Sequence, residues 1–451
     1  MPTHDSHDSY DDLFRDTPAD GTSGPPAVTL RATQERSLIR PHGSKRHIVF
    51  TVAAPTVERP PRRPLTLALV LDRSGSMTGQ PLEMAKAVAL RVINDLTPQD
   101  QVAVVAFDDQ MTTIQELAPV SARMKARVAM ALAQMGPGGS TALYEGWLTG
   151  CNQIAGETVD YTRIAHALLL TDGEANVGLT NPSEIAQKVV ELRARCNIGT
   201  DTYGLGEDYN QDLLGPMAMA GEGQYTHLRT PRDLESAFLG VVEHLRQSVA
   251  TCVRLEFSAG AGIEAKIVSA YWPRDEHRAE ARWSVGLGEM AGGDERQVVV
   301  RFSFPGLDDA QHQTVRARLV WRDERGENHA TPWQETRFTY ATDADCTEEA
   351  HNPEAMRWIG LTRADVVKER VSLMTDAGDT SGAAEVVDVF VEHLKTLAEH
   401  DPVIAAELEE MLRMSEDLKG KRFSKMSSKE AYFQAHRRMS SQKDYRGGSQ
   451  E

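Results

Sequence analysis

Hydrophobic and polar residues change their spacing along the chain, and the changes divide it into regions. Between residues 65 and 245, short apolar runs such as LTLALVL at 65–71 alternate with stretches whose apolar residues recur at helical spacing. Near-continuous apolar strands that alternate with helices are typical of a parallel sheet covered on both faces. The pattern therefore predicts an α/β domain with a doubly wound, mostly parallel sheet over residues 65–245. Its helices are predicted over 84–96, 121–135 and 181–196, and its other strands over 102–107, 164–173 and 198–206.

The segments on either side of this domain alternate with period two. Val253, Leu255 and Phe257 alternate with polar residues, and similar alternation recurs as far as residue 341. Period-two alternation is the mark of half-buried strands, so residues 251–342 are predicted to form an antiparallel β-sandwich. Residues 28–60 have the same character, and we expect their strands to join the sandwich. The α/β domain would then be inserted in the sandwich or lie adjacent to it, a pairing that sequence alone does not establish.

Both ends of the chain differ from these regions. Residues 1–27 are acidic, rich in Asp, Ser, Gly and Pro, and without periodicity, which predicts a disordered tail. Residues 351–418 are predicted to be helical, beginning with a cap at Asn352 followed by Pro353. The remaining residues, 419–451, form a basic, Ser-rich tail. That tail is interpreted as solvated or tethered to the same chain; the alternatives are a site for an anionic partner or for phosphorylation.

Composition narrows the classes of function. Across 451 residues, 66 acidic side chains outnumber 49 basic ones, and the net charge is −17. Such an acid excess repels phosphate backbones and argues against nucleic-acid binding. The four cysteines have no metal-ligand spacing, which favours thiols in a reducing compartment. The sequence begins without a signal peptide and contains no apolar run that could span a bilayer, so we expect a cytoplasmic protein of bacterial type.

Polar residues with metal-binding chemistry follow the first strand of the α/β domain. The strand ends in Asp72, and Ser74 and Ser76 follow at alternate positions in LALVLDRSGSM. The carboxyl ends of parallel strands are where open α/β sheets bind ligands. One carboxylate and two hydroxyls form a hard-oxygen set that suits Mg²⁺ or Mn²⁺.

Two later loops supply residues of the same kind. Thr141 ends the sequence Gly-Gly-Ser-Thr before a predicted helix, and Asp172 ends the strand ALLLTDG. We take all three loops to lie at strand ends of the parallel sheet, so their side chains are expected to meet. The candidate metal ligands are therefore Asp72, Ser74, Ser76, Thr141 and Asp172.

These motifs resemble the metal-ion-dependent adhesion site of the von Willebrand factor type A domain, in which D-x-S-x-S is followed by a Thr and then T-D-G. The resemblance covers residues 65–245, and the flanks resemble bacterial proteins labelled as homologues of calcium-activated chloride channels or inter-alpha-trypsin inhibitor heavy chains. It implies that Ser74, Ser76 and Thr141 ligate the metal, while Asp72 and Asp172 act mainly through waters or hydrogen bonds. It also implies that a Glu or Asp of a protein partner completes the site.

We therefore expect a non-enzymatic interaction module. The resemblance implies partners such as AAA+ ATPases or signalling proteins. The alternatives are a metal-dependent hydrolase or phosphatase, and a structural metal with binding through the sandwich or the tail. Against an enzyme, the sequence offers no general base or nucleophile in convincing spacing. His166 is interpreted as a core residue. Asp108 and Asp109, which follow a strand, are interpreted as part of a solvated loop, with the alternative that they line the metal face.

Overall fold

The computed structural model describes residues 28–57, 62–156, 158–269, 281–307 and 312–441, and the backbone of residues 273–277. The predictions for the acidic segment 1–27 and for the end of the basic tail beyond residue 441 therefore lie outside the described residues.

A six-stranded sheet forms the centre of the α/β domain, as the sequence predicts. The strand order is β6-β5-β4-β7-β8-β9, and every neighbouring pair is parallel except β5 and β6. The strands are β4 (Leu65–Asp72), β5 (Gln101–Phe107), β6 (Met111–Pro119), β7 (Ile164–Thr171), β8 (Ile198–Leu205) and β9 (Glu222–Leu228). All eight residues of β4 are buried, which explains why six of them are apolar.

Helices cover both faces of this sheet. Buried side chains of α1, α2 and α6 form one core with it, and those of α3, α4 and α5 form another on the opposite face. The helices are α1 (Gln80–Asp95), α2 (Ala122–Gln134), α3 (Leu143–Ile154), α4 (Pro182–Cys196), α5 (Gln211–Ala220) and α6 (Asp233–Arg246). Local sequence fixes their ends: Asn181 caps α4 by accepting hydrogen bonds from the backbone N–H groups of Ser183 and Glu184.

Two further sheets pack face to face around a core of their own. One has the order β1-β3-β14-β11, and the other has β12-β13-β10-β15-β17-β2 with β16 on β15. Ser44–Ala53 (β3) pairs antiparallel with Glu295–Phe304 (β14), so the chain before the α/β domain and the chain after it share one sheet. The other strands are β1 (Thr29–Gln34), β2 (Leu38–Ile39), β10 (Ser248–Ala259), β11 (Glu264–Ile267), β12 (Pro273–His277), β13 (Arg282–Ala291), β15 (His312–Arg322), β16 (Asn328–Ala330) and β17 (Gln334–Tyr340).

The C-terminal region is helical, and its last helix returns to the α/β domain. Its helices are α7 (Asp343–Glu348), α8 (Pro353–Asp376), α9 (Thr380–Ala398), α10 (Pro402–Lys419) and α11 (Lys425–Met439). The sequence predicted a basic tail over residues 419–451, and α11 forms within it. Tyr432 and Phe433 of α11 are buried in the same core as α3, α4 and α5, beside Tyr225 of β9. None of the described helices is long and apolar enough to cross a membrane.

A buried ion network joins the α/β domain to the seven-stranded sheet. His166 of β7 lies 2.6 Å from Asp201 of β8 through Nδ1 and 3.1 Å from Glu289 of β13 through Nε2. Arg193 of α4 lies 2.7 Å from Glu222 and 2.9 Å from Glu289. Burial lowers the pKa of His166, but the two carboxylates outweigh it and raise this pKa to about 9. His166 is thus a core residue, as expected, but a charged one.

Candidate metal centre

Asp72 anchors the first loop of the candidate site. It ends β4 and is fully buried. Its Oδ1 accepts a hydrogen bond of 2.7 Å from the backbone N–H of Ser74, and its Oδ2 accepts one from the hydroxyl of Thr171. Burial raises the pKa of Asp72 to about 6, against the lowering effect of these two donors. Oδ1 therefore holds the backbone of the first loop and Oδ2 holds the Thr171 side chain at the end of β7, which accords with an indirect role for Asp72.

Ser74 precedes a single turn of 3₁₀ helix over Gly75–Met77, and Ser76 lies within that turn. Their hydroxyl oxygens are 3.2 Å apart. The hydroxyl of Ser76 donates a hydrogen bond of 2.7 Å to Oδ1 of Asp172, which follows β7. The first and third loops predicted from the sequence are thus in direct contact.

Thr141 completes the group from the second loop, which connects α2 to α3 and does not adjoin a strand as the sequence predicted. Its backbone N–H donates to Oδ1 of Asn176 at 2.8 Å, and the N–H of Asn176 donates to its carbonyl at 3.1 Å. Gly173 shows how the three hydroxyls converge. A Cβ atom added to Gly173 would lie 3.2 Å from the Ser76 oxygen, 3.5 Å from that of Thr141 and 4.0 Å from that of Ser74. The structure therefore brings all five predicted residues to one edge of the sheet, with the hydroxyls around a common point.

Asp108 supports the second loop, which favours the alternative that it lies at the metal face over the solvated loop. It directly follows β5 and is buried, not part of a solvated loop. One of its carboxylate oxygens lies 3.2 Å from the Arg73 guanidinium, and that oxygen accepts a hydrogen bond from the N–H of Gly139 at 3.3 Å. A Cβ atom on Gly138 would overlap the same carboxylate at 1.7 Å. Its position at the end of a buried strand, beside Asp72, was the available signal.

The rim of the site is acidic. Asp109, Glu174, Glu207 and Asp208 are exposed on loops that follow strands β5, β7 and β8. Asp109 lies against the second loop, since its Oδ1 would be 3.2 Å from a Cβ on Gly139. Burial raises the pKa of Asp172, and the charge of Asp208 raises it further. Exposed carboxylates therefore lie on several loops at this edge of the sheet, and Asp208 is 3.6 Å from Lys425 of α11.

A second group of possible ligands lies far along the chain, between β15 and β16. The ligand atoms of Asp323, Glu327 and His329 lie within 4.8 Å of one another. The geometry of a turn accounts for their proximity, because Oδ1 of Asp323 accepts hydrogen bonds of 2.9 Å from the N–H groups of both Arg325 and Glu327. This group is interpreted as a turn.

Known proteins resemble both the sequence and the fold. A family model described as the von Willebrand factor type A domain matches residues 66–240. An uncharacterized protein of Synechocystis is 34% identical over 287 residues, which are 62% of this chain and 67% of that protein. Human inter-alpha-trypsin inhibitor heavy chain H3 is 27% identical over 211 residues, 45% of this chain, and the chain spans only 23% of its length.

Two solved structures share the arrangement of most of the chain. A von Willebrand factor type A protein from Catenulispora acidiphila has a TM-score of 0.68 at 19% identity, covering 85% of this chain and 90% of its own. The ArnB paralog VWA2 from Sulfolobus acidocaldarius has a TM-score of 0.65 at 16% identity, covering 91% and 98%. The α/β sheet, the matching family model and the Synechocystis relative agree, and the chain belongs to the family of von Willebrand factor type A domain proteins.

Proposed function

We propose that this chain is a non-enzymatic protein-interaction module that binds an acidic side chain of a partner through a divalent metal ion. Domains of this family commonly serve in protein interaction or adhesion and typically bind a divalent metal. The observation that carries the proposal is the convergence of three hydroxyls on the space above Gly173. The residues that would hold the metal, directly or through hydrogen bonds, are Asp72, Ser74, Ser76, Thr141 and Asp172.

The donor set fits a hard cation. Hydroxyl and carboxylate oxygens suit Mg²⁺ or Mn²⁺ better than zinc, which prefers nitrogen and sulfur. Because three of the five side chains are neutral hydroxyls, much of the positive charge of a bound ion would remain uncompensated. When bound, Mg²⁺ supplies a coordination position, occupied by exchangeable water, that a partner's Glu or Asp can take.

The acidic rim narrows the chemistry of the partner. A lone carboxylate that approaches the site is repelled by the exposed carboxylates of these loops, of which Asp208 is partly balanced by Lys425. A partner segment with Lys or Arg beside its acidic residue would be attracted by the same rim. Such binding should weaken as salt concentration rises, because the rim charges are exposed. We include in the proposal a cytoplasmic location and a partner among AAA+ ATPases or signalling proteins.

Two alternatives remain distinct from this proposal. A hydrolase would need a general base within hydrogen-bond reach of the reacting group. His166 does not supply one, because it is buried within the ion network with Asp201 and Glu289. A purely structural metal would stabilise the fold, so EDTA would lower the melting temperature but leave partner binding intact.

A matched pair of variants in the second loop tests the metal site. Thr141→Val removes a converging hydroxyl, whereas Ser140→Ala removes an exposed hydroxyl one residue away. In isothermal titration with Mn²⁺, we expect Thr141→Val to lower affinity at least about tenfold and Ser140→Ala to leave it unchanged. Equal affinities in both variants and the wild type would refute the site.

Partner binding is tested by capture from a lysate of the source organism, read by mass spectrometry. We expect a protein that wild-type chain retains in Mg²⁺ and loses in EDTA, and that Asp72→Ala does not retain. Identical retention in all three samples would mean that the partner binds at a surface other than the metal site. Turnover of a generic phosphoester that Asp72→Ala abolishes would favour the hydrolase instead.

A further inference from the structure

A groove between α8 and α9 presents apolar surface that the described part of the chain leaves uncovered. Its floor consists of Val367 and Met374 of α8 and Val386 and Phe390 of α9, all half-buried. The groove has a volume of about 610 Å³. On its edge, Val389 is 64% exposed. Exposed apolar surface of this kind, framed by polar residues, marks a site of association.

The α8 side of the groove is basic. Arg363 and Arg370 line it and are exposed, and they lie on one face of α8 because they are seven residues apart. Neither guanidinium forms an ion pair with another described residue. On the α9 side, Glu385 and His393 line the opposite rim. The groove therefore fits a segment that is apolar on one face and acidic beside α8.

The N-terminal segment of this chain has that chemistry. Residues 1–20 contain six aspartates and one arginine. Although residues 1–27 as a whole lack periodicity, Tyr10, Leu13 and Phe14 have the spacing i, i+3 and i+4, so they would share one face if the segment became helical on binding. Asp11 and Asp12 lie between them in the sequence. Apolar anchors at this spacing are how amphipathic helices dock in grooves.

The segment is also within reach. The described chain begins at Val28, next to β1, whose Arg31 pairs at 2.5 Å with Glu354 in the first turn of α8. Arg363 lies nine residues further, about 14 Å along the helix. The 14 residues that separate Phe14 from Val28 extend up to about 46 Å. Tethering at this distance raises the effective concentration of the segment at the groove.

We propose that residues 8–16 bind in the α8–α9 groove of their own chain. Tyr10, Leu13 and Phe14 contact the apolar floor, and the neighbouring aspartates pair with the two arginines of α8. The proposal does not depend on the metal site, because α8 and α9 contribute none of its residues.

Photo-cross-linking of the full chain tests the contact. The photoreactive residue p-benzoylphenylalanine replaces Phe14, and cross-linked peptides are identified by mass spectrometry at dilute protein concentration. We expect cross-links within one chain to peptides that contain residues 363–393. Cross-links that map elsewhere, or only between two chains, would overturn the proposal and indicate another occupant or a second copy.

Charge reversal separates specific docking from chance encounter. Arg363→Glu with Arg370→Glu should lower the cross-link yield about fivefold. Adding Asp11→Arg and Asp12→Arg should restore it. Arg325→Glu is the matched control, an exposed arginine in the turn between β15 and β16, and should change nothing.

A variant in the N-terminal segment serves as a control, because it cannot lower the yield by misfolding of α8 and α9. Leu13→Asp alters only the segment, and we expect it to lower the yield as well. Unchanged yield in both Leu13→Asp and the double arginine variant would overturn the proposal.

Discussion

The charged histidine between the α/β domain and β13 makes the stability of this protein depend on pH. The pKa of His166 is raised from 6.5 to about 9, because Asp201 and Glu289 outweigh its burial. Burial alone would raise the pKa of Glu289, but Arg193 and His166 hold it far below its usual range, so the carboxylate stays ionised. A raised histidine pKa means that the folded state binds the proton more tightly than the unfolded state. The contribution is therefore complete below pH 6.5 and is lost as pH rises through 9.

The size of this contribution to stability follows from the shift in the pKa of His166. A shift of about 2.5 units at 1.36 kcal/mol per unit corresponds to about 3 kcal/mol. Little of this is screened, because His166 is 1% exposed. Against a total stability of about 5–15 kcal/mol for a domain, the loss is large. His166→Gln keeps a polar side chain but removes the charge, so the variant should be less stable than the wild type at pH 6.5 and lose less on going to pH 9.5.

Urea unfolding followed by tryptophan fluorescence at pH 6.5, 7.5, 8.5 and 9.5 measures the effect. Trp147 reports on the α/β domain because it is fully buried beneath the sheet. Other groups also titrate, so the free energy of unfolding is plotted against pH for both proteins. The test is the difference between the slope for wild type and the slope for His166→Gln. His312→Gln, which removes an exposed histidine of β15, should keep the wild-type slope. Equal slopes for wild type and His166→Gln would refute the assignment of the charge to this network.

Three further predictions address other parts of the molecule. Gly173→Ala places a methyl group 3.2 Å from the Ser76 oxygen and should abolish Mn²⁺ binding in isothermal titration, while urea unfolding without metal stays within about 1 kcal/mol of wild type. Phe433→Ala should cost about 3–5 kcal/mol in the contact of α11 with the α/β domain, because the ring is 2% exposed; hydrogen exchange of α11 amides should accelerate accordingly. Arg31→Ala should change the free energy of unfolding in urea by less than about 1 kcal/mol, because its side chain is 54% exposed. A larger loss would contradict the expectation that the exposed ion pair with Glu354 contributes little to stability.

The sequence predicted the elements whose burial is uniform. Strand β4 was predicted over 65–71 and spans Leu65–Asp72, because both of its faces are covered and every position before Asp72 except Thr66 is apolar. The candidate site followed from the same logic, since the carboxyl ends of parallel strands share an edge. That argument predicted which side chains meet, and their hydroxyls converge in the structure.

Elements that depend on distant partners could not be predicted in this way. Strand β6, Met111–Pro119, was missed because it lies at the edge of the sheet and only Gln115 within it is buried. Helix α11 was missed because its sequence is basic and polar, and its burial comes from Tyr432 and Phe433 meeting β9 some two hundred residues earlier. The charge of His166 depends on Glu289, more than a hundred residues away, which no local pattern reveals.

The pairing of β3 with β14 has a consequence for how the chain is made. Partners in this ladder, from Ala53 with Glu295 to Ser44 with Phe304, lie 242 to 260 residues apart. At roughly 5–20 residues per second of synthesis, β14 is completed about 12–50 s after β3. During that interval the apolar face of β3, with Ile48, Phe50 and Val52, has no neighbour from β14. The α/β sheet pairs only within residues 65–228, so it can form during this delay. Nascent chains should therefore depend on a chaperone to shield β3 until the second half of its sheet is made.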